Sequence, residues 1–282
     1  MQQSTLELVR RALEEDGAES DITTLSTVPA RQLADAQIIT RQAGVVAGLS
    51  VARLVFQEVD ARVQVELDAS DGQAVQIGQV IARLHGPARA ILSGERTALN
   101  FLGRLSGIAT LTRRCAQVVE GTRARILDTR KTTPGLRMLE KEAVRLGGGY
   151  NHRFGLNDGV LIKDNHIQAA GGVSQAIRAA RSCAHHLLKI EVECESLAQV
   201  REALEAKGDV ILLDNMDVET MREAVEVARR TNPNVLIEAS GSIGTDPVKL
   251  AAVAATGVNF ISLGALTHSA PNFDVSLEFQ EG

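Results

Sequence analysis

Six short apolar runs, each followed by a stretch of helical periodicity, constrain this 282-residue chain more than any other feature. They are Arg125-Ile126-Leu127-Asp128, Gly159-Val160-Leu161-Ile162-Lys163, Lys189-Ile190-Glu191-Val192-Glu193, Val210-Ile211-Leu212-Leu213-Asp214, Val235-Leu236-Ile237-Glu238-Ala239 and Asn259-Phe260-Ile261-Ser262-Leu263-Gly264. Strands that alternate with helices build a parallel sheet, because a parallel neighbour is reached only through a crossover. The spacing of about 20–35 residues suits a βα barrel, although an open doubly wound sheet satisfies the same pattern. In either architecture ligands bind beyond the C-terminal ends of the strands. Lys131, Lys163, Glu193, Asp214, Ser240 and Gly264 all fall at that place.

The segment before these runs has a different texture. Residues 6–15 place Leu6, Val9 and Leu13 on one helical face, and Asp21-Ile22-Thr23-Thr24 reads as a turn or cap. Residues 36–89 alternate like short antiparallel strands, punctuated by Asp71-Gly72 and Gly78. Helical periodicity then runs over residues 95–119 through Leu99, Leu102, Leu105, Ile108 and Leu111. The expectation is a β-rich α+β module followed by a parallel α/β domain.

Charge narrows the range of ligands. Residues 96–163 hold 13 Lys/Arg against 5 Asp/Glu, a local +8, so the rest of a chain whose total is −5 carries −13. One basic segment on an acidic chain suits a small anion better than DNA, which needs a broadly basic face. Arg113, Arg114, Arg123 and Arg125 read as solvated positions within it. With 2% aromatics and no Trp, the chain lacks a base-stacking platform. Cys115, Cys183 and Cys194 are odd in number and form no CxxC, which argues against a disulfide framework or zinc site. No apolar run approaches the ~18 residues of a membrane span, and residues 1–16 lack an apolar signal core. The expectation is a cytoplasmic enzyme with neither nucleic acid nor membrane as a partner.

Five constellations could carry chemistry. In Asp128-Thr129-Arg130-Lys131-Thr132-Thr133-Pro134-Gly135-Leu136-Arg137, adjacent cations follow a strand and a Pro-Gly turn fixes their loop. Gly147-Gly148-Gly149-Tyr150-Asn151-His152-Arg153 delivers His152 and Arg153 straight after a glycine turn. Lys163 ends the apolar run of Leu161-Ile162-Lys163-Asp164-Asn165-His166, where it could form a Schiff base, clamp an anion, or simply pair with Asp164. Glu193 and Asp214 could together hold a magnesium ion with ligand phosphates, or one of them could pair with a rim cation. Glu238-Ala239-Ser240-Gly241-Ser242-Ile243-Gly244 and Leu263-Gly264-Ala265-Leu266-Thr267-His268 place small residues at the last strand ends, where barrels bind a phosphate. No Gly-x-Ser-x-Gly elbow and no His-Glu-x-x-His motif is present.

These stretches, together with Glu95-Arg96, Leu99-Asn100, Leu105-Ser106-Gly107-Ile108-Ala109-Thr110, Glu140-Lys141, Leu213-Asp214-Asn215 and Leu266-Thr267-His268-Ser269, resemble the quinolinate phosphoribosyltransferase family over essentially the whole chain. The resemblance implies an N-terminal α/β sandwich domain over residues 1–100, to which residues 270–282 return. It implies an open, seven-stranded, TIM-like α/β barrel over residues 101–269. Its substrates would be quinolinate and phosphoribosyl pyrophosphate, with Mg2+ as cofactor. Arg130, His152, Arg153 and Lys163 match the family's quinolinate pocket, and Lys131, Glu193 and Asp214 match positions near phosphoribosyl pyrophosphate and metal. Ser240, Gly241, Gly264 and His268 match its phosphate region, and Ser242 stands where glycine or asparagine is usual. A homodimer or higher even oligomer is implied, with Arg96 reaching the partner's site.

Overall fold

The computed structural model describes residues 2–280; Met1, Glu281 and Gly282, which the sequence assigns to the first module, lie outside the described residues. The chain forms two compact units, one of Met1–Arg113, Pro134–Gly148 and Ala270–Gly282, the other of Arg114–Thr133 and Gly149–Ser269. The expected boundary near residue 100 falls inside a continuous 31-residue helix, so one element carries the chain from the first unit into the second.

The first unit begins with α1 (Gln2–Asp16) and α2 (Ile22–Thr27), where the Asp21 carboxylate accepts the Thr24 N–H as an N-cap. It continues through β1 (Leu33–Thr40), β2 (Gly44–Val45), α3 (Leu49–Val59), β3 (Gln64–Leu67), β4 (Ala74–Val75), β5 (Val80–Pro87) and α4 (Ala88–Val118). β1 lies antiparallel to β5, and β5 to β3, so the alternating pattern read from the sequence is that of an antiparallel sheet in which β5 lies between β1 and β3.

The six apolar runs become β6 (Arg125–Leu127), β7 (Val160–Ile162), β8 (Ile190–Cys194), β9 (Val210–Asp214), β10 (Leu236–Ser240) and β11 (Phe260–Ser262). Between them come α5 (Arg137–Leu146), which belongs to the first unit, and then α6 (Asp164–Ala170), α7 (Val173–Cys183), α8 (Leu197–Glu205), α9 (Val218–Thr231) and α10 (Pro247–Ala254). α11 (Ala265–His268) closes the second unit, and β12 (Val275–Phe279) pairs antiparallel with β1 in the first. Side chains of Ser196, Asp217 and Asp246 cap α8, α9 and α10. Each such cap contributes about 1 kcal/mol and fixes where its βα loop ends.

All pairings in the second unit are parallel, in the order β6-β11-β10-β9-β8-β7. Seven strands were expected; six form among the described residues. The seventh place, beside β6, is held by a single parallel bridge from Leu127 to Tyr150. Glycines before Tyr150 and a loop that turns away after it leave too little extended chain for a strand. No pairing closes β7 onto Tyr150 among the described residues, so the sheet is open.

Alternation within the strands positions the site. On β8, Ile190, Val192 and Cys194 are fully buried on one face, which turns Glu191 and Glu193 to the other. Each buried Ile or Val contributes about 1.5–3 kcal/mol, enough to hold two glutamates on the inner face. Parallel register then sets Leu212 beside Glu193, Glu238 beside Leu212, and Ser240 beside Asp214.

Candidate active site

The inner face and the strand-end loops of the second unit enclose a cavity of about 570 Å³. That is within the roughly 300–1,000 Å³ of small-molecule sites. Its lining includes Arg130, Lys131, His152, Arg153, Lys163, Glu193, Asp214, Ser240, Gly241 and Gly264, ten of the twelve residues singled out from the sequence. His268 lies next to Gly264, on the side also approached by the Lys131 side chain. Arg96 is on α4 in the first unit, where its side chain is exposed. A second cavity, of about 560 Å³, lies in the first unit, but its Arg10 is already paired with Glu58 and the rest of its lining is acidic, apolar or small.

The loop after β6 is pinned from several directions. Asp128 is fully buried and accepts the His152 N–H at 2.8 Å, which ties this loop to the one carrying His152 and Arg153. The Lys131 N–H donates to Thr129 Oγ1, and the Lys131 carbonyl accepts from the Thr267 hydroxyl at 2.8 Å. The glycine triplet serves the turn: Gly147 ends α5, and Gly148 takes a left-handed φ of 92° before the chain enters the Tyr150 bridge. It is not part of the cavity lining.

Arg130 and Arg153 face each other closely enough for their charges to interact. Burial first, and then the Arg130 charge, lower the Arg153 guanidinium from its ordinary value. The charges of Glu191 and Asp158 act on Arg153 in the opposite direction. Arg153 Nη1 also donates to the Gly159 carbonyl at 3.0 Å, which fixes the fork.

His152 is held among acids that the sequence reading left without a role. Its Nδ1 accepts the Arg153 N–H at 2.7 Å, which places the ring hydrogen on Nε2, 3.0 Å from Glu191 Oε2 and 3.7 Å from Glu238 Oε1. Burial pulls the His152 ring down, but the Glu191 hydrogen bond, with the charges of Glu238 wherever it is ionised and of Glu191, outweighs it, so the net direction is up. Glu191 Oε1 and Glu238 Oε1 are buried and accept no hydrogen bond. Burial, then the Glu191 charge, push the Glu238 carboxyl up to about 8. A Glu238 that keeps its proton can donate to Glu191, which satisfies both orphaned oxygens at once. The signal in the sequence was Glu191 two residues before Glu193 in an otherwise apolar run, which puts both on one face.

A second carboxylate group lies at the strand ends. Lys163 Nζ sits 2.6 Å from Glu193 Oε2, so the partner of this lysine is Glu193 and not the neighbouring Asp164. With its Nζ held against a carboxylate, Lys163 is placed to clamp an anion and not to attack as a Schiff-base nucleophile. Oxygens of Glu193, Glu195 and Asp214 lie within 4.8 Å of one another. Glu195, exposed in the loop after β8, was not anticipated. Three carboxylates at that spacing form the hard-oxygen donor set that suits magnesium, with Lys163 Nζ against one of them. Asn215 adjoins it, with Nδ2 donating to Asp214 Oδ2 at 2.7 Å and Oδ1 accepting the Ser242 N–H at 2.9 Å.

Comparison with known proteins agrees with this geometry. The quinolinate phosphoribosyl transferase C-terminal domain matches residues 108–278, and the N-terminal domain of the same family matches residues 21–106. The chain belongs to the quinolinate phosphoribosyl transferase family. It is 48% identical over 264 residues to the probable nicotinate-nucleotide pyrophosphorylase (carboxylating) of Bacillus subtilis, covering 94% of this chain and 89% of that protein. It is 45% identical to the nicotinate-nucleotide pyrophosphorylase (carboxylating) of Mycobacterium leprae, covering 96% and 95%. Among solved structures, the nicotinate-nucleotide pyrophosphorylase from Francisella tularensis superposes with a TM-score of 0.93 at 40% identity, covering 99% of this chain and 97% of that one. As a family member the chain is a phosphoribosyltransferase of mixed α/β fold, and no helix among its described residues is long and apolar enough to cross a membrane.

Proposed function

We infer that this chain transfers the phosphoribosyl group of phosphoribosyl pyrophosphate to quinolinate and decarboxylates the adduct. The products are nicotinate mononucleotide, pyrophosphate and carbon dioxide, a step of NAD biosynthesis. The observation that carries this reading is the convergence of Arg130 and Arg153 in a cavity that also holds Glu193 and Asp214. Quinolinate carries two adjacent carboxylates, and each charge-assisted contact to a guanidinium is worth about 1.5–3 kcal/mol. Bound there, the dicarboxylate would meet both guanidinium groups of the cavity lining.

The site divides by ligand. Arg130, His152, Arg153 and Lys163 take the dicarboxylate; Lys131 faces the phosphates; Ser240, Gly241, Gly264 and His268 take the 5′-phosphate. His152 acts with its ring held by Glu191, so its contribution is a fixed orientation. Glu193 and Asp214 would hold Mg2+, which supplies positive charge to the pyrophosphate oxygens when bound. Arg96, exposed on α4, is suited to reach the site of a partner chain in a homodimer or higher even oligomer. The enzyme would work in the cytoplasm, consistent with three cysteines that form no disulfide.

The chemistry follows from these positions. The quinolinate ring nitrogen attacks ribose C1 as the bond from C1 to the pyrophosphate oxygen breaks, and Glu193 and Asp214 either hold the metal on the leaving group or stabilise positive charge on the ribose. The nitrogen becomes a pyridinium, an electron sink beside the C2 carboxylate. The bond from C2 to that carboxylate then breaks, carbon dioxide leaves, the electron pair stays at C2, and C2 takes up a proton. Lys163 stabilises charge at C2 as an ammonium. Catalytic roles thus fall to Lys131, Lys163, Glu193 and Asp214.

The test is turnover with quinolinate, phosphoribosyl pyrophosphate and magnesium, followed by mononucleotide and carbon dioxide in equal amounts. Turnover with nicotinate but not quinolinate would reassign the substrate, and binding without turnover would make the chain a phosphate-ligand binder.

A further inference from the structure

Between the metal-holding and phosphate-holding parts of the cavity stands Asn215, in the left-handed region at φ 53°, a conformation that asparagine tolerates better than other non-glycine residues. Every polar group of its side chain is engaged. Nδ2 donates to Asp214 Oδ2 at 2.7 Å, and Oδ1 accepts the Ser242 N–H at 2.9 Å. Its own N–H donates to the Ser240 carbonyl at 3.2 Å. Gly241, at φ 103°, packs so closely that a Cβ there would lie 2.4 Å from Asn215 Oδ1. The side chain therefore bridges the end of β9 to the turn after β10, where parallel register already sets Ser240 beside Asp214.

We propose that Asn215 is a positioning residue that sets the Asp214 carboxylate and the Gly241–Ser242 turn in one fixed relation, so that phosphoribosyl pyrophosphate meets metal and phosphate contacts together. Two consequences follow. Asp214 loses one direction of rotation, because Oδ2 is held and only Oδ1 remains to swing toward a cation. The Ser242 N–H is spent on Asn215, so the phosphate cup is built without it, and the serine at position 242, where the family resemblance implies glycine or asparagine, leaves that bond intact. The quinolinate end is untouched, since Asn215 makes no hydrogen bond to Arg130, His152 or Arg153.

This inference rests on the reading of the site as one for phosphoribosyl pyrophosphate, and two variants test it. Asn215→Gly keeps the left-handed backbone and removes both side-chain bonds. Asn215→Asp keeps the shape and the acceptor for Ser242 but cannot donate to Asp214. Each should raise the KM for phosphoribosyl pyrophosphate by about tenfold or more, the scale of a lost hydrogen bond to a charged group. The KM for quinolinate should stay within about twofold. As a readout without turnover, the rise in melting temperature on adding phosphoribosyl pyrophosphate and magnesium should shrink in both variants. Equal rises in the two KM values, or a folded variant with an unchanged KM for phosphoribosyl pyrophosphate, would overturn the proposal. Failure of both variants to fold would assign Asn215 to folding and overturn it too. If the parent enzyme does not turn quinolinate over, the functional reading alone fails, and the thermal shift still decides the role of Asn215.

Discussion

Two groups of carboxylates sit within one strand register of each other and do opposite work. Glu191 and Glu238 enclose His152, with buried oxygens that no protein donor reaches. Glu193, Glu195 and Asp214 gather at the strand ends, against Lys163 Nζ, and open to solvent through Glu195. In the enclosed group, burial and mutual repulsion retain a proton on Glu238. In the open group, a lysine and access to solvent surround the donor set that the proposed Mg2+ would use. Glu191 and Glu193 are separated by one residue on the same face of β8, so side-chain identity does not set the role. The surrounding charge does.

Breaking the open group should have the largest effect. Glu193→Gln and Asp214→Asn should each lower kcat/KM by about a hundredfold or more, the scale seen when one charge-stabilising contact to the reacting centre is lost. The fold should survive, which circular dichroism checks. Retention of most of the activity in either variant would remove these residues from the mechanism.

The enclosed group should respond through stability. The Glu238 carboxyl is raised, so both folded and unfolded chains are protonated below its ordinary value, and stability falls as pH rises from about 4.5 to about 8. His152, also raised, contributes stability below its ordinary value of 6.5 that is lost as pH rises through its folded value. Both effects slope the same way. Glu238→Gln, a neutral isostere, should flatten that slope and gain on the parent by up to a few kcal/mol between pH 5 and 8, as read by urea melts at several pH values. An unchanged slope would mean that Glu238 is ionised in the folded protein.

The smallest effect separates the two readings of Lys163. Because Lys163 pairs with Glu193, Asp164→Asn should leave turnover within about twofold and cost only about 0.3–1 kcal/mol, from a lost charge in the first turn of α6. A large loss of activity would restore Asp164 as the partner.

Much of this was legible in the sequence, for physical reasons that also explain the rest. Apolar runs ending in Lys163, Glu193, Asp214 and Ser240 announced both the strands and the rim, because a parallel strand is buried on both faces until its end. The stretch around Tyr150 carries no apolar run, and the structure gives it only a bridge. Glu191 and Glu238 were hidden because a glutamate inside an apolar run declares its face but not its neighbours, which come from β8, β10 and the His152 loop. Asn215 belongs to the Leu213-Asp214-Asn215 motif, yet its left-handed backbone and its reach to Ser242 depend on the register of β9 against β10. Glu195 lies past its strand in a loop, where sequence carries no periodicity to place it.

The central claim is that one cavity is divided between a dicarboxylate end and a phosphate end. The most direct measurement is the pair of KM values in Arg153→Ala. The account predicts a rise of about tenfold or more for quinolinate, the loss of one charge-assisted contact, with phosphoribosyl pyrophosphate held within about twofold. Equal losses for the two substrates would contradict the division.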